Sequence, residues 1–139
     1  MKGFLVRAKR ATYADDAEPR ILEDMCKELI YREGELTYRD RYYGSNPFAG
    51  QETVWKNGEI IWVMNYMGKA DHKKVYGFLK KAMRLVDEDR PFRGPDQYAE
   101  GDMIYIDSSE GDLDDFKGTE RIFSECKEIY RLEYHGGYF

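Results

Sequence analysis

The clearest pattern in the chain is an alternation of hydrophobic and polar residues on both sides of Asn57-Gly58, in ETVWKNGEIIWVMNY. Asn-Gly between two β-rich runs is typical of a two-residue type I′ hairpin turn, because both central residues need a positive φ. Such a turn predicts that Lys56 pairs with Glu59, and that the pairing continues without interruption to Glu52 opposite Val63. Alternation then predicts a core face with Trp55, Ile60, Trp62, Met64 and Tyr66, and a second face with Glu52, Val54, Ile61, Val63 and Asn65.

Two other segments repeat their hydrophobic residues at helical spacing. Residues 72–88 carry a stripe made of Val75, Phe78, Leu79, Ala82, Met83 and Val86. Residues 4–13 carry a similar stripe made of Phe4, Leu5, Ala8 and Ala11. Spacings of three and four residues place each stripe on one side of a helix, so we predict one helix over each segment.

A motif around Tyr38 recurs around Tyr105. Glu33, Gly34, Tyr38, Asp40 and Gly44 correspond to Glu100, Gly101, Tyr105, Asp107 and Gly111. Further along the chain, Phe48, Gly50, Glu52, Ile61, Tyr66 and Gly68 correspond to Phe116, Gly118, Glu120, Ile129, Tyr134 and Gly136. Recurrence of this order and spacing indicates an internal repeat rather than two unrelated hairpins of similar period.

These patterns predict an α+β fold in a single domain, residues 1–139, made of two αβββ repeats with pseudo-two-fold symmetry, about 1–70 and 71–139. The antiparallel strands would form a curved sheet or a partly closed barrel, with the helices on one side. A loop of about ten residues would follow the first strand of each repeat, and residues 14–26 and 89–98 would be connectors. Glu125-Cys126 stands where the first hairpin has Asn-Gly, so we expect a bulged or longer loop there.

Composition narrows the function. The chain has 22 Lys and Arg against 27 Asp and Glu, a net charge of −5, which argues against nucleic-acid binding by this chain alone. An aromatic content of 15% argues against disorder. Basic residues interrupt the apolar residues near the N-terminus, which argues against a signal peptide. No apolar run is long enough to span a membrane. Two cysteines, Cys26 and Cys126, are expected to be free thiols, so we predict a cytoplasmic protein.

The strings YRDRYYG, FAGQETVW and WVMNYMG, followed by FRGP and YHGG, resemble an uncharacterised prokaryotic domain family. That domain occurs alone or as the C-terminal domain of XRE-type helix-turn-helix regulators. The resemblance runs from Phe4 to the end of the sequence and implies a cytoplasmic domain whose regulator-linked relatives sense an effector. It brings no catalytic residues, and this chain lacks a helix-turn-helix, so DNA binding is not implied.

Two carboxylate pairs, Asp40 with Glu52 and Asp107 with Glu120, recur in both predicted repeats. Paired carboxylates can act as general acid and base, or can orient the amines and hydroxyls of a ligand. Their presence in both halves favours a structural role. In that role Glu52 and Glu120 would accept hydrogen bonds from backbone N–H groups of the preceding Phe-x-Gly segments.

Residues present in only one repeat are sharper functional candidates. The first repeat has arginines, a Tyr42-Tyr43 pair and two tryptophans, whereas the second has an acidic segment. Aromatic rings with polar tips can wall a ligand pocket, although the tryptophans can equally fill the core. We place the candidate ligand-binding site on the concave face of the first repeat, at Tyr38, Asp40, Tyr42, Tyr43, Glu52, Trp62 and Asn65.

No nucleotide-binding or nucleophile motif occurs, and the acidic segment 107–115 does not match a calcium-binding loop. We therefore expect no cofactor and no metal, and assign no catalytic residue. The leading hypothesis is a small-molecule-binding or effector-sensing module whose ligand is unknown. One alternative is an enzyme that uses Glu52 and Asp40 as an acid–base pair. Another is a homodimeric protein-interaction module that associates through an exposed strand edge.

Overall fold

The computed structural model describes residues 1–12 and 17–139. Within these ranges the chain forms two helices, α1 (Lys2–Ala11) and α2 (Val75–Met83). Its strands are β1 (Arg20–Ile21), β2 (Lys27–Glu33), β3 (Leu36–Gly44), β4 (Phe48–Lys56), β5 (Glu59–Ala70), β6 (Gln97–Glu100), β7 (Met103–Asp112), β8 (Asp115–Ser124) and β9 (Lys127–Tyr138). Tyr13, the predicted end of the first helix, and positions 14–16 of the predicted connector lie outside the described residues.

The strands form one antiparallel sheet in the order β1-β2-β3-β4-β5-β9-β8-β7-β6. Strands β2 to β5 make one meander and β6 to β9 make another, and the two meet where β5 pairs with β9. Both helices pack into one hydrophobic core against the same side of the sheet, which we call the inner face. The predicted α+β class and curved antiparallel sheet are confirmed, whereas the sheet is open, so the barrel alternative is wrong.

The predicted three strands per unit are wrong, because each half of the sheet contains a four-stranded meander. The prediction omits the short strand β1, which lies in the predicted connector 14–26, and it omits β2 and β6, which pair with β3 and β7. They turn at Gly34 and Gly101, and both glycines have positive φ, as a two-residue hairpin turn requires. The sequence signal for β2 is the run from Leu29 to Tyr31 before Gly34, to which the prediction assigns no element.

The predicted ten-residue loops are also wrong, because strands occupy most of them. Strand β3 extends to Gly44 and β4 begins at Phe48, and β7 and β8 are separated only by residues 113–114. Tyr42 and Tyr43 therefore lie within a strand and point to opposite faces of the sheet. This placement decides which of the two tyrosines can contribute to a site under the helices.

The hairpin of β4 and β5 keeps the predicted register only next to its turn. Lys56 pairs with Glu59 and Trp55 with Ile60, but a β-bulge then shifts the ladder so that Val54 pairs with Trp62. Because one extra residue in one strand reverses the faces that follow, Glu52 lies on the inner face with Trp62, Met64 and Tyr66. The predicted separation of Glu52 and Val54 from the core face is therefore wrong, and Trp55 lies on the outer face.

The second hairpin turns as tightly as the first, so of the two expected alternatives the longer loop is wrong, and a β-bulge lies just beyond the turn, between Ile122 and Phe123. Ser124 pairs with Lys127, which leaves Glu125 and Cys126 as the two turn residues, with φ of 49° and 66°. Positive φ at both positions is the geometry that Asn-Gly adopts in the first hairpin. Cys126 is exposed there and Cys26 is buried, and both thiols are free.

Aromatic rings join the two halves of the sheet beneath the helices. The Trp62 ring of β5 stacks on the Phe116 ring of β8, with centroids 5.6 Å apart. Phe92, which follows α2, also stacks on the Phe116 ring, with centroids 4.3 Å apart. Offset aromatic pairs at these distances stabilise a core beyond the area they bury. The contact continues across the β5–β9–β8 junction and holds the meanders together.

Two glycines on the inner face make room for tyrosine rings that cross their strands. A Cβ added at Gly50 would lie 2.4 Å from the Tyr66 hydroxyl oxygen, and one at Gly118 would lie 2.1 Å from Tyr134 Cζ. The Phe-x-Gly-x-Glu motif therefore places an open position next to a glutamate on the same face of the strand. Each tyrosine hydroxyl passes over its glycine and reaches a buried aspartate, as described below.

We expect Gly118→Ala to lower the free energy of unfolding by about 1–3 kcal/mol, because the new methyl group overlaps the Tyr134 ring in a closed core. Gly77→Ala on helix α2 is the matched control, since a Cβ there meets nothing within 4 Å. The control should raise the free energy of unfolding by about 0.5–1 kcal/mol through helix propensity. Urea denaturation of both variants measures the difference, and equal effects would contradict the proposed role of Gly118.

Candidate functional site

Four carboxylates lie on the inner face of the sheet, covered by the helices. Asp40 pairs with Glu52 across β3 and β4, and Asp107 pairs with Glu120 across β7 and β8. Asp40 is 4% exposed, Asp107 is 3% exposed, and both glutamates are fully buried. Charged groups at this depth need partners, because burial of an unpaired ion is very costly.

Two buried cations, Lys9 and Arg93, meet these carboxylates from outside the sheet. Lys9 on α1 donates a hydrogen bond to Glu52 and another to the Phe92 carbonyl, 2.7 Å away. Arg93, in the segment after α2, donates to both carboxylate oxygens of Glu120 at 3.1 Å, and its Nη1 lies 3.9 Å from Glu52 Oε1. Arg93 therefore links the glutamates of the two halves. Burial lowers the pKa of Lys9, and the charge of Glu52 opposes that effect.

Glu120 is fully occupied by protein donors. Besides Arg93, it accepts hydrogen bonds from the hydroxyl groups of Tyr105 at 2.7 Å and Tyr130 at 2.6 Å. Side chains rather than Phe-x-Gly backbone groups thus provide the hydrogen bonds of Glu52 and Glu120, so that expectation is wrong. With four donors in place, Glu120 has a structural role and is closed to a ligand.

Each buried aspartate accepts a hydrogen bond from a tyrosine of the neighbouring hairpin. The Tyr66 hydroxyl donates to Asp40 at 2.6 Å, and the Tyr134 hydroxyl donates to Asp107 at 2.9 Å. Asp107 also receives a hydrogen bond from Arg90, 3.1 Å away. Asp40 has no cation in ion-pair contact among the described residues, so the two aspartates differ in how their charge is balanced.

Burial raises the pKa of both aspartates. The pKa of Asp40 rises to about 7, first because the carboxyl group is removed from water and second because Glu52 carries a like charge beside it. The pKa of Asp107 also rises to about 7, again mainly through burial and then through Glu120. Near neutral pH both groups therefore exchange protons, which is the range where a general acid or base is most effective.

Asp40 borders a cavity of about 290 Å³ between the first half of the sheet and helix α2. The polar and charged groups at the cavity are Asp40, Lys27, Ser45, Lys80 and Arg93. Its apolar and aromatic lining consists of Tyr42, Gly44, Phe48, Tyr66, Tyr76, Leu79 and Met83. An apolar enclosure with a few convergent polar groups is the usual composition of a small-ligand site.

The predicted site residues divide into three groups in the structure. Asp40 and Tyr42 line the cavity. Tyr38, Glu52 and Trp62 are fully buried and do not line the cavity, and the Trp62 indole donates to the Leu113 carbonyl at 3.2 Å. Tyr43 and Asn65 lie on the outer face, where Tyr43 donates to Asp24 and Asn65 accepts from Gln51, so their placement on the concave face is wrong.

Sequence reasoning missed the cations and the helix α2 side of the cavity. Arg93 belongs to the FRGP string, which marked it as notable but gave no indication of its partner. Lys9 occupies the buried side of an amphipathic helix, where a lysine is usually taken for a solvent-exposed residue. Its position on the same stripe as Leu5 was the available signal.

A larger depression of about 510 Å³ lies over β7, β8 and β9 in the second half of the sheet. It includes outer-face positions such as Ser108, Lys117, Thr119, Glu133 and His135, most of them exposed. Its lining lacks a buried carboxylate such as the Asp40 carboxylate of the smaller cavity. In the part of the chain that the structure describes, no group of three His, Cys, Asp or Glu side chains could hold a metal ion. Neither α1 nor α2, the helices of the described ranges, is long and apolar enough to cross a membrane.

One family matches the chain over residues 40–139, and its description reads Domain of unknown function (DUF5680). The matched range contains the four inner-face carboxylates and Arg93, and it begins after helix α1, which carries Lys9. No curated protein and no solved structure matches the chain.

We expect Lys9→Met to lower the free energy of unfolding by about 3–5 kcal/mol, because it leaves the fully buried Glu52 without its nearest cation. Adding Glu52→Gln should recover much of that loss, since a neutral amide removes the uncompensated charge. Lys81→Met, which breaks an exposed pair with Glu100, is the matched control and should have a much smaller effect. Urea denaturation of the unaltered protein, both single variants, the double variant and the control decides this, and additive losses in the double variant would contradict the direct Lys9–Glu52 coupling.

The two aspartates also predict a pH dependence of stability. Because the folded chain keeps them protonated up to a pKa of about 7, against 3.8 for an ordinary Asp, it binds protons that the unfolded chain releases. Their contribution to stability is therefore complete below about pH 4 and is lost as the pH rises through about 7. Asp40→Asn should flatten the decline of unfolding free energy between pH 5 and pH 7, measured by urea denaturation across that range. An unchanged slope would contradict the raised pKa of Asp40.

Proposed function

Because the chain belongs to the DUF5680 family, whose description names no function, we propose from its site that it is a small-molecule-binding module with its ligand in the 290 Å³ cavity beside Asp40. The observation that carries this proposal is the difference between the two aspartates. Asp107 has an arginine in contact, whereas Asp40 has one tyrosine donor and faces the cavity. A ligand that brings a positive charge or a hydrogen-bond donor to Asp40 would supply what Arg90 supplies to Asp107.

The lining indicates what such a ligand would look like. Tyr42, Phe48 and Tyr76 present aromatic surface, and Leu79 and Met83 of α2 add aliphatic surface. A compact apolar or aromatic body would pack against these side chains while an amine binds Asp40. The sequence resembles a domain that is attached to XRE-type regulators. Because those relatives are expected to sense an effector, we extend the proposal to effector sensing.

The internal repeat is part of the same proposal. Support comes from the register, because Asp40 faces Glu52 as Asp107 faces Glu120, and from bulges after Val54 and Ile122 at matching places in the hairpins. We propose that the two meanders descend from one duplicated unit with pseudo-two-fold symmetry. In that view the second half keeps a closed structural centre, and the first half opens its aspartate to a ligand.

A thermal-shift series with tyramine, benzylamine and phenylacetate tests the binding proposal. A ligand that binds only the folded state raises its stability by RT ln(1 + [L]/Kd), so the two amines should raise the melting temperature and the carboxylate should not. Binding of the amines should strengthen as the pH rises through about 7, because Asp40 must lose its proton to pair with them. The concentration needed for half-maximal shift should rise at least about tenfold in Asp40→Asn, which is the loss of one charged contact.

Asp107→Asn is the matched control for the thermal-shift series, because it makes the same substitution at the aspartate that Arg90 already contacts. It should leave the response to the amines unchanged. Equal weakening in both variants would indicate that the amines act through general charge rather than through the cavity. A complete lack of response to the amines in the unaltered protein would contradict the proposal for this ligand class.

An enzyme that uses Asp40 and Glu52 is the second candidate, favoured by the pKa of about 7 at Asp40. Glu52 is fully buried and bonded to Lys9, so Asp40 is the member of the pair that could exchange a proton with a bound substrate. Any turnover found should follow a single ionisation near pH 7 and be lost in Asp40→Asn. A homodimeric interaction module stays a third proposal, supported by the exposed edge strand β6, whose one partner among the described strands is β7.

A further inference from the structure

A second concave region lies on the outer face of the sheet, on the side opposite the helices. It is a groove of about 310 Å³ over β2, β3 and the β4–β5 turn. Its lining consists of Arg20, Ile30, Arg32, Glu35, Thr37, Arg39, Trp55, Asn57 and Gly58. Three of these nine residues are arginines, in a protein whose net charge is −5.

A buried glutamate holds several of the arginines in place. The Glu28 carboxylate, which is fully buried on the outer face, accepts hydrogen bonds from Arg20 at 2.6 Å, Arg39 at 2.5 Å and Arg41 at 2.9 Å. These contacts hold the pKa of Glu28 down at about 2, so the carboxylate stays ionised. One negative charge thus faces three guanidinium groups, which leaves an excess of positive charge directed at the solvent side.

Arg32 adds to this excess. It is exposed at the groove and makes no hydrogen bond or ion pair with a described residue. Glu35, the acidic residue of the lining, lies 3.8 Å from Lys56, which offsets its charge. A guanidinium group already fixed by a carboxylate keeps outward N–H donors available, and their planar fork fits the oxygens of a phosphate.

Trp55 supplies the other half of a recognition site. Its indole N–H donates to Thr53 at 3.0 Å, which fixes the ring beside the arginines. Through the sheet register, Trp55 lies next to Thr37, and Thr37 lies next to Arg32. A half-exposed aromatic ring that lies close to arginines on the same face of the sheet can stack on the flat face of a ring-bearing anion.

The pairing of the strands does not require these residues. On β7, which pairs with its neighbours as β3 does, the outer positions beside Asp107 are Ile106 and Ser108 instead of arginines. An equivalent strand pairing therefore forms without arginines at the positions of Arg39 and Arg41. This contrast points to a role in binding rather than in the stability of the sheet.

We propose that the groove binds a small planar aromatic molecule carrying a phosphate monoester, the class to which nucleoside monophosphates belong. The phosphate binds Arg20, Arg32 and Arg39, and the ring stacks on Trp55. This site is separate from the cavity beside Asp40, because the sheet lies between them. The proposal therefore stands independently of the proposed function of that cavity.

Calorimetric titration with adenosine monophosphate, adenosine and inorganic phosphate at low salt tests this site. We expect the monophosphate to bind at least about tenfold more tightly than either of its parts, because charge pairing and stacking act together. Arg32→Gln and Arg20→Gln should each weaken its binding about tenfold, which corresponds to the loss of one charged hydrogen bond. Trp55→Leu should weaken the binding of the monophosphate and leave the affinity for inorganic phosphate unchanged.

Arg131→Gln on β9 is the matched control, since Arg131 is half-exposed and pairs with Glu128 and Glu133, away from the groove. It should leave the affinity unchanged, and so should Asp40→Asn in the other cavity. Undetectable binding of the monophosphate, or equal weakening by Arg32→Gln and Arg131→Gln, would overturn the proposal. An oligodeoxyadenylate that binds more tightly as its length increases would also overturn it, in favour of a nucleic-acid strand.

Discussion

The structure depends on the neutralisation of four carboxylates that the sheet buries beneath its helices. Lys9 and Arg93 bring two positive charges to this centre, and each contacts a glutamate. Neither cation belongs to the sheet, so the position of α1 and of the segment after α2 follows from the charges of β4 and β8. The two aspartates complete the balance by holding protons, with pKa values of about 7. Buried ion pairs of this kind specify one arrangement because any other leaves a charge alone in the core.

The same centre distinguishes the two halves of the sheet. In the second half, Glu120 and Asp107 are occupied by protein donors from Arg93, Arg90 and tyrosines. In the first half, Asp40 relies on Tyr66 and borders a cavity. The outer face differs in the same direction, since the arginines around Glu28 belong to the first half. Both candidate binding regions therefore lie on one half of an otherwise similar architecture.

Much of this architecture could be predicted from the sequence, because it follows from local patterns. Asn57-Gly58 determined the first hairpin turn, and the recurrence of Tyr38-x-Asp40 as Tyr105-x-Asp107 identified strands with the same pairing. What local patterns could not provide was the β-bulge at Ile61. One inserted residue reversed the faces of the strand beyond it and moved Glu52 into the core.

Only part of the candidate site could be predicted from the sequence. Asp40 and Tyr42 share a face and line the cavity. The predicted loop where β3 continues left Tyr43 free to join them, and the predicted uninterrupted register of the first hairpin placed Asn65 on the same face as Glu52, which the β-bulge reverses. Lys9 and Arg93 were beyond reach for another reason. Their partners lie 43 and 27 residues away along the chain, and nothing in a single sequence connects a charge to so distant a carboxylate.

The position of β9 has a consequence for how the chain reaches this structure. In sequence β9 follows β8, but in the sheet it lies between β5 and β8 and pairs with both. Until β9 is in place, each meander has an unpaired edge at what becomes the middle of the sheet. Such edges can pair with other chains, and long-range strand pairing is slow. During synthesis the unpaired edges of β5 and β8 are therefore open to association with other chains until β9 pairs with both of them.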